Sequence, residues 1–260
     1  MNNFFRYKYF TVQLVKKHIV NQYKQTILGP SLQILNPFLQ SGLFAIVFGK
    51  ILDVETDGVP NLVYYLVSVT FFNFYRTSTL KSAVIFTAYS QLYKSFYFPK
   101  ILMSVSIILE SIILYFLQFI LMLIILIIIN NDAVKISLIN ILLSIFPLIQ
   151  YAIVALASGM IISSLTFKYR DLVNFIGYIM QGLFFLTPVI YSSSKILTNY
   201  EWFFHINPLF YSIKYFKYLF FGTNFPEIKF LYSNGLITIL LIILAFKLFR
   251  YADKKFDDFA

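Results

Sequence analysis

The sequence predicts an all-α integral membrane protein: six transmembrane helices, an N-terminal amphipathic interfacial helix, and re-entrant helices between the last two spans. Three observations predict it. Of the 260 residues, 59% are hydrophobic and only 12% are charged, against about 25% charged residues in a soluble domain. A soluble fold of this size cannot bury so much apolar surface, so lipid is the main solvent. The apolar residues also fall into six runs near the ~20 residues that a bilayer core requires. Finally, Lys and Arg gather at the ends of those runs, as they do in membrane proteins.

Residues 1–27 form the expected interfacial helix. Arg6, Gln13, Lys17 and Lys24 make one polar stripe; Phe4, Val12, Val15, Ile19 and Tyr23 lie opposite, with Lys8 the exception. Spans are expected at about 31–52, 61–86, 101–129, 138–167, 172–194 and 230–249. Lys50 lies near the end of the first, Arg76 and Lys81 interrupt the second, and Glu110 is the only charge in the third. The fourth and fifth carry no charge, and Lys247 lies near the end of the sixth.

Two connecting segments stand apart. The stretch 87–100 ends in LYKSFYFPK, Leu92–Lys100, which is too short and basic to cross a bilayer and too aromatic for a solvated loop. Lys94 and Lys100 bracket Phe96, Tyr97 and Phe98, and Pro99 stops any preceding helix. Such a segment suits the membrane surface, with rings at headgroup depth and ammonium groups in water. The stretch 195–229 holds Trp202, Phe203, Phe204, Phe210, Tyr211 and Tyr215, punctuated by Pro208 and Gly222, and is expected to form two short helices dipping into the interface. Its rings could stack on sugars or serve as a plain aromatic belt.

The basic residues assign the sides. Of 21 Lys and Arg residues, fourteen fall on one side: Arg6, Lys8, Lys16, Lys17, Lys24, Lys81, Lys94, Lys100, Lys168, Arg170, Lys247, Arg250, Lys254 and Lys255. Six fall on the other (Lys50, Lys135, Lys195, Lys214, Lys217, Lys229), and Arg76 stays inside a span. Both termini are therefore expected in the cytoplasm, and the chain is expected in the cytoplasmic (inner) membrane as a multi-pass protein. The net charge of +10 does not imply nucleic acid, because the cations mark run ends rather than a recognition face. No cleavable signal peptide is expected ahead of the first run.

Catalytic chemistry is sparse. There are no cysteines, so disulfides and thiolate metal sites are excluded. His18 and His205 are the only histidines, and neither belongs to a metal-ligand pattern. No phosphate-loop pattern occurs, so ATP hydrolysis by that route is excluded. Asp53, Glu55 and Asp57 are expected to form a solvated acidic loop outside rather than a cation site. Arg76 shares a helical face with Thr70, Asn73 and Thr77; it could line a polar path or reach back to the headgroups. Glu110, inside lipid, needs a proton or a cation, and a structural ion pair with Arg76 or another basic group is preferred to proton coupling.

With these residues in place, the chain resembles the membrane subunits of type-2 ABC exporters of cell-surface polysaccharide, the O-antigen, capsule and teichoic-acid permeases. The resemblance covers nearly the whole chain. It rests on Tyr23–Pro37 (YKQTILGPSLQILNP, with Leu28, Gly29, Asn36 and Pro37), Phe44–Gly49, Leu92–Lys100, Phe167–Leu172 (FKYRDL), Thr187–Tyr191 (TPVIY) and Asn207–Pro208; Lys217 with Gly222 is a weaker echo. Departures are Leu32 for a common Trp, Lys17–His18 for Arg-Asp, Gln91 for Asn, and Lys100 and Lys217 for Arg.

The resemblance implies a channel-forming half-transporter: two copies of this chain, each docked on a cytoplasmic ABC ATPase. ATP and Mg would be bound by that partner, with no cofactor and no metal on this chain, which would not itself be an enzyme. Tyr89, Leu92, Lys94, Phe96, Tyr97, Phe98, Pro99 and Lys100 would form the ATPase-coupling element and cytosolic gate. Lys168, Arg170 and Asp171 would stabilise the second inner loop. Asn73, Arg76, Tyr191, Trp202, Tyr211 and Tyr215 would line the substrate path and outer gate for a lipid-linked glycan. The rivals are a type-2 ABC permease for a drug or other lipid, a membrane enzyme acting on lipid-linked sugars, and a secondary transporter working without ATP.

Overall fold

The computed structural model describes residues 7–24, 29–95, 98–129, 132–169, 171–192, 206–225 and 227–259. Among the described residues every regular element is a helix. In chain order these are α1 (Lys8–Tyr23), α2 (Gly29–Phe44, prolonged by a wider π-helical turn, Ala45–Ile51), α3 (Asn61–Ala83), the short α4 (Ile85–Ala88) and α5 (Ser90–Ser95), α6 (Ile101–Ile129), α7 (Leu138–Leu143), α8 (Ile145–Thr166), α9 (Leu172–Leu186), α10 (Pro208–Phe221) and α11 (Ile228–Phe259).

Among the described residues, four stretches are long and apolar enough to cross a membrane: Ser31–Ile51, Ile101–Ile129, Leu138–Thr166 and Leu231–Phe256. The second and fifth expected spans differ from these for physical reasons. α3 is 23 residues long but carries Asn73, Arg76, Lys81 and several hydroxyl groups. It is the hub of the bundle, packed against α2, α6, α8, α9 and α10. A helix that faces protein has no need of lipid-like composition, which is why its polarity is tolerated. α9 is a shorter apolar helix of 15 residues. The run expected to reach residue 194 leaves the helix at Thr187, because Pro188 disfavours helical backbone at the residue before it.

Pro37 lies within α2 and cannot donate to the carbonyl of Gln33 one turn back. Gln118 of α6 takes that orphan, its Nε2 donating to the Gln33 carbonyl at 2.9 Å. A backbone group inside lipid has no water to turn to, so a neighbouring helix must satisfy it. Close approach is also built in at Gly159, where an added Cβ would collide with the Cβ of Ser82. The absent side chain lets α8 lie against α3.

The interior has two parts. The larger surrounds α3 from Val59 to Ala83 and includes Tyr115, Phe119, Tyr151, Phe216 and Phe220. The smaller joins Leu14 of α1, Ile85, Phe86, Phe98, Leu102, Met160 of α8, and Phe249 and Phe256 of α11. The second cluster gathers α1, α11 and the segment after α3 at one end of the bundle.

Within the expected interfacial segment, the described helix runs from Lys8 to Tyr23, and residues 1–6 lie outside the described residues. Gln13, Lys17 and Lys24 are exposed as the polar stripe requires. The buried side is rotated, however: Thr11, Leu14, Val15 and His18 are buried while Val12 is exposed. The reason is that α1 packs on α6, and a protein neighbour selects a narrower face than lipid would.

Candidate functional site

At the C-terminal end of α3, the segment expected to couple to an ATPase packs into the core at Phe98 and Lys100. α4 and α5 follow α3 closely, and Phe98 is buried, its ring 4.7 Å from that of Phe10 in α1. Lys100 is only 9% exposed. Its ammonium pairs with Asp253 of α11 at 3.0 Å and lies 4.8 Å from the centre of the Phe256 ring. So Phe98 and Lys100 tie the segment to both terminal helices, while Lys94 and Pro99 are exposed and Tyr89 and Leu92 are half-buried. Burial pushes the Tyr93 hydroxyl well above its ordinary range, and burial with the nearby Glu110 carboxylate raises Tyr89. Phe96 and Tyr97 lie outside the described residues.

Glu110 sits beside this segment and is 2% exposed. Its partner is not Arg76. Lys81 Nζ donates to Glu110 Oε1 at 2.7 Å and to Gln22 Oε1 at 2.9 Å. His18 Nδ1 stands 3.5 Å from Glu110 Oε2, and the His18 ring lies 5.2 Å from that of Tyr89. One carboxylate thus holds α1, α3, α6 and the segment after α3 together, beside a cleft of about 400 Å³. This is the structural ion pair expected for Glu110, with Lys81 and His18 as its partners.

The face carrying Asn73, Arg76 and Thr77 lines a second cavity, of about 310 Å³, with Gln33, Asn36 and Gln118. Asn73 Nδ2 donates to Gln40 Oε1 of α2 at 3.0 Å. Thr70, expected on the same face, is buried apart from the cavity lining.

The opposite end of the bundle brings together two motifs distant in sequence. Asn207 caps α10, its Oδ1 accepting from the Leu209 N–H at 3.0 Å, while its Nδ2 donates to Thr187 Oγ1 at 3.1 Å. Pro208 occupies the first turn, and Gly222 ends the helix in a left-handed conformation at φ 64°. Tyr64 donates to the Tyr191 carbonyl at 2.8 Å, and the Tyr191 hydroxyl donates to the Phe185 carbonyl at 3.0 Å. Lys217, 4% exposed, donates to the Pro188 carbonyl, and its ammonium lies 3.7 Å from the centre of the Tyr64 ring. Asp57 accepts from Ser192, so the acidic loop is fastened to the bundle instead of being simply solvated.

Of the expected outer-gate aromatics, Tyr211 is 1% exposed and packs within the protein, which leaves its faces no room for a sugar. Tyr215 is half-buried and stacks on Tyr218 with centroids 6.2 Å apart. Trp202 lies outside the described residues, as does Arg170. Lys168 and Asp171 are exposed, Lys168 lying 5.1 Å from the centre of the Tyr169 ring. Sequence reasoning missed His18 as a partner of Glu110 and Gln22 as a second acceptor for Lys81, and missed the burial of Lys217. The one available signal was the need of Glu110 for a cation.

Residues 9–221 match the family described as ABC-2 type transporter. Two relatives from Klebsiella pneumoniae, both called O-antigen export system permease protein RfbA, are each 26% identical over 246 residues, which is 92% of this chain and 92% of theirs. The family match spans most of the described helices, from α1 to the end of α10. The chain therefore belongs to the ABC-2 type transporter family, as a permease subunit.

Proposed function

We propose that this chain is the channel-forming subunit of an ATP-driven exporter of lipid-linked polysaccharide across the cytoplasmic membrane. Two copies would work with two copies of a separate cytoplasmic ATPase that binds ATP and Mg. The observation that carries the reading is likeness over 92% of the chain to two permeases named for O-antigen export. Capsule or teichoic acid would serve the same chemistry.

Six spans and cytoplasmic termini belong to this reading. α3, with 23 residues, would extend roughly 34 Å at 1.5 Å per residue, enough for a hydrocarbon core of about 30 Å. α9 would cross with the help of the Thr187–Ser192 turn. Lys81, Lys94 and Lys100 would then face the cytoplasm with α1 and the end of α11. Closure of an ATPase dimer acts on a membrane subunit only through cytoplasmic elements. The segment after α3 is keyed by Lys100 to α11 and by Phe98 to α1, contacts that support a role in passing that force on.

Loss of the gene should remove surface glycan and leave its lipid-linked form inside the cell; unchanged surface glycan would sink the reading. Docking is tested by co-purification with the ATPase. Lys94→Glu should release the ATPase while elution volume shows that the protein is still folded. Lys100→Glu should lower stability first, because it sets a second carboxylate against Asp253.

A further inference from the structure

We propose that the cavity between α2, α3 and α6 binds the phosphate-bearing head of a lipid, with Arg76 as its anchor. The inference rests on the export reading for the identity of that lipid and for the orientation of the bundle.

Arg76 differs from the other charges along the bundle. Lys81 and Glu110 are spent on each other. Among the described residues Arg76 has no ion pair and no side-chain hydrogen bond. A guanidinium does not escape by losing its proton, so its charge persists wherever it is placed. A lone cation in a low-dielectric layer marks a site whose counter-ion comes from elsewhere.

The lining says what kind of counter-ion. Around Arg76 stand Asn36, Asn73, Thr77, Ser111 and Gln118, together with Lys81, and no carboxylate among the described residues lines the cavity. Asn73 and Gln118 each show one hydrogen bond from the amide nitrogen, to Gln40 and to the Gln33 carbonyl. An amide NH₂ carries two donors, so each retains a second. The site is thus rich in donors and net positive, and a planar guanidinium grips two oxygens of a phosphate at once. A volume of about 310 Å³ holds a phosphate group and part of what it carries.

Access fits a lipid. Arg76 is half-buried and Thr77 exposed, so the cavity is not sealed. Arg76 precedes the end of α3 by two turns, roughly 10 Å along the axis. In the proposed orientation that is just within the inner leaflet, where the head of an amphiphile enters sideways. Simple reaching for the interface would not require amides from three helices to converge at that depth.

The test uses the purified full-length chain in maltoside micelles, with binding measured by native mass spectrometry. The probes are geranylgeranyl diphosphate, geranylgeraniol, dioctanoyl-phosphatidylglycerol and inorganic pyrophosphate. The diphosphate lipid should bind and the alcohol should not. Arg76→Gln should weaken binding about tenfold or more, and Arg76→Lys should weaken it less, because charge survives without the fork. Elution volume and melting temperature report that both variants are folded. Tighter binding of the prenyl diphosphate identifies the head of a transported lipid, and tighter binding of phosphatidylglycerol identifies a resident membrane lipid; either supports the site. Pyrophosphate binding as tightly as the lipids would show that a free anion is the ligand and overturn the proposal. So would equal binding by Arg76→Gln, or by geranylgeraniol. The export reading fails separately, on surface glycan in cells lacking the gene.

Discussion

The two ends of the bundle solve the same problem, a charge removed from water, with different materials. At the end where α3 finishes, Glu110 is met by Lys81 and His18, so ionic groups of both signs share one buried node. At the end where α3 begins, the buried Lys217 rests on a backbone carbonyl and the face of Tyr64. The first arrangement joins whole helices, α1, α3 and α6. The second fastens α10 to the turn after α9. Removing one member of a buried ion pair leaves an uncompensated charge, at about 3–5 kcal/mol, whereas an aromatic face holds an ammonium by about 0.5–2 kcal/mol. The difference teaches that the end bearing the terminal helices is built as a rigid block and the opposite end as a clasp.

That contrast breaks most visibly at Lys81. Lys81→Met leaves Glu110 buried with only His18 beside it, and removing one member of a buried pair costs about 3–5 kcal/mol. Thermal unfolding in micelles, followed by far-ultraviolet circular dichroism, should show the loss. A melting temperature within error of the parent would mean that the node carries no stability. Glu110→Gln should cost less, roughly 1–2 kcal/mol, because an amide still accepts from Lys81. Transport should persist in that variant; its loss in a protein that remains folded would remove the purely structural reading of Glu110.

Lys217→Met sharpens the other half. It removes a desolvated ammonium and at the same time orphans the Pro188 carbonyl, and these two effects oppose each other. Stability should change by less than about 1 kcal/mol. A loss as large as that of Lys81→Met would make the two ends alike and remove the clasp reading.

How much of this was legible depended on range along the chain. Ile101–Ile129 reads directly from the sequence, because lipid demands an uninterrupted apolar run. The face of Asn73, Arg76 and Thr77 also reads directly, since helical period places these residues together and the cavity uses them. Glu110 announced a need for a cation, but Lys81 lies 29 residues away on another helix, and only packing chooses between it and Arg76. Lys100, beside Pro99 in a basic stretch, resembles a surface residue. Its turn inward depends on α11, 153 residues later. Tyr211 and Tyr215 looked equivalent, yet their positions on α10 send one into the core and leave the other half-buried.

The bond from Gln118 to the carbonyl freed by Pro37 has a consequence for the order in which substitutions can accumulate. Gln118→Leu in the present chain strands that carbonyl, at about 1–3 kcal/mol. In a chain first changed by Pro37→Ala, the restored N–H at residue 37 reclaims the carbonyl, and the same Gln118→Leu becomes nearly silent. Melting temperatures of the two single variants and the double variant should therefore fail to add, with the double variant more stable than the sum. A lineage that straightens this helix first can then let its glutamine drift; one that loses the glutamine first pays at once.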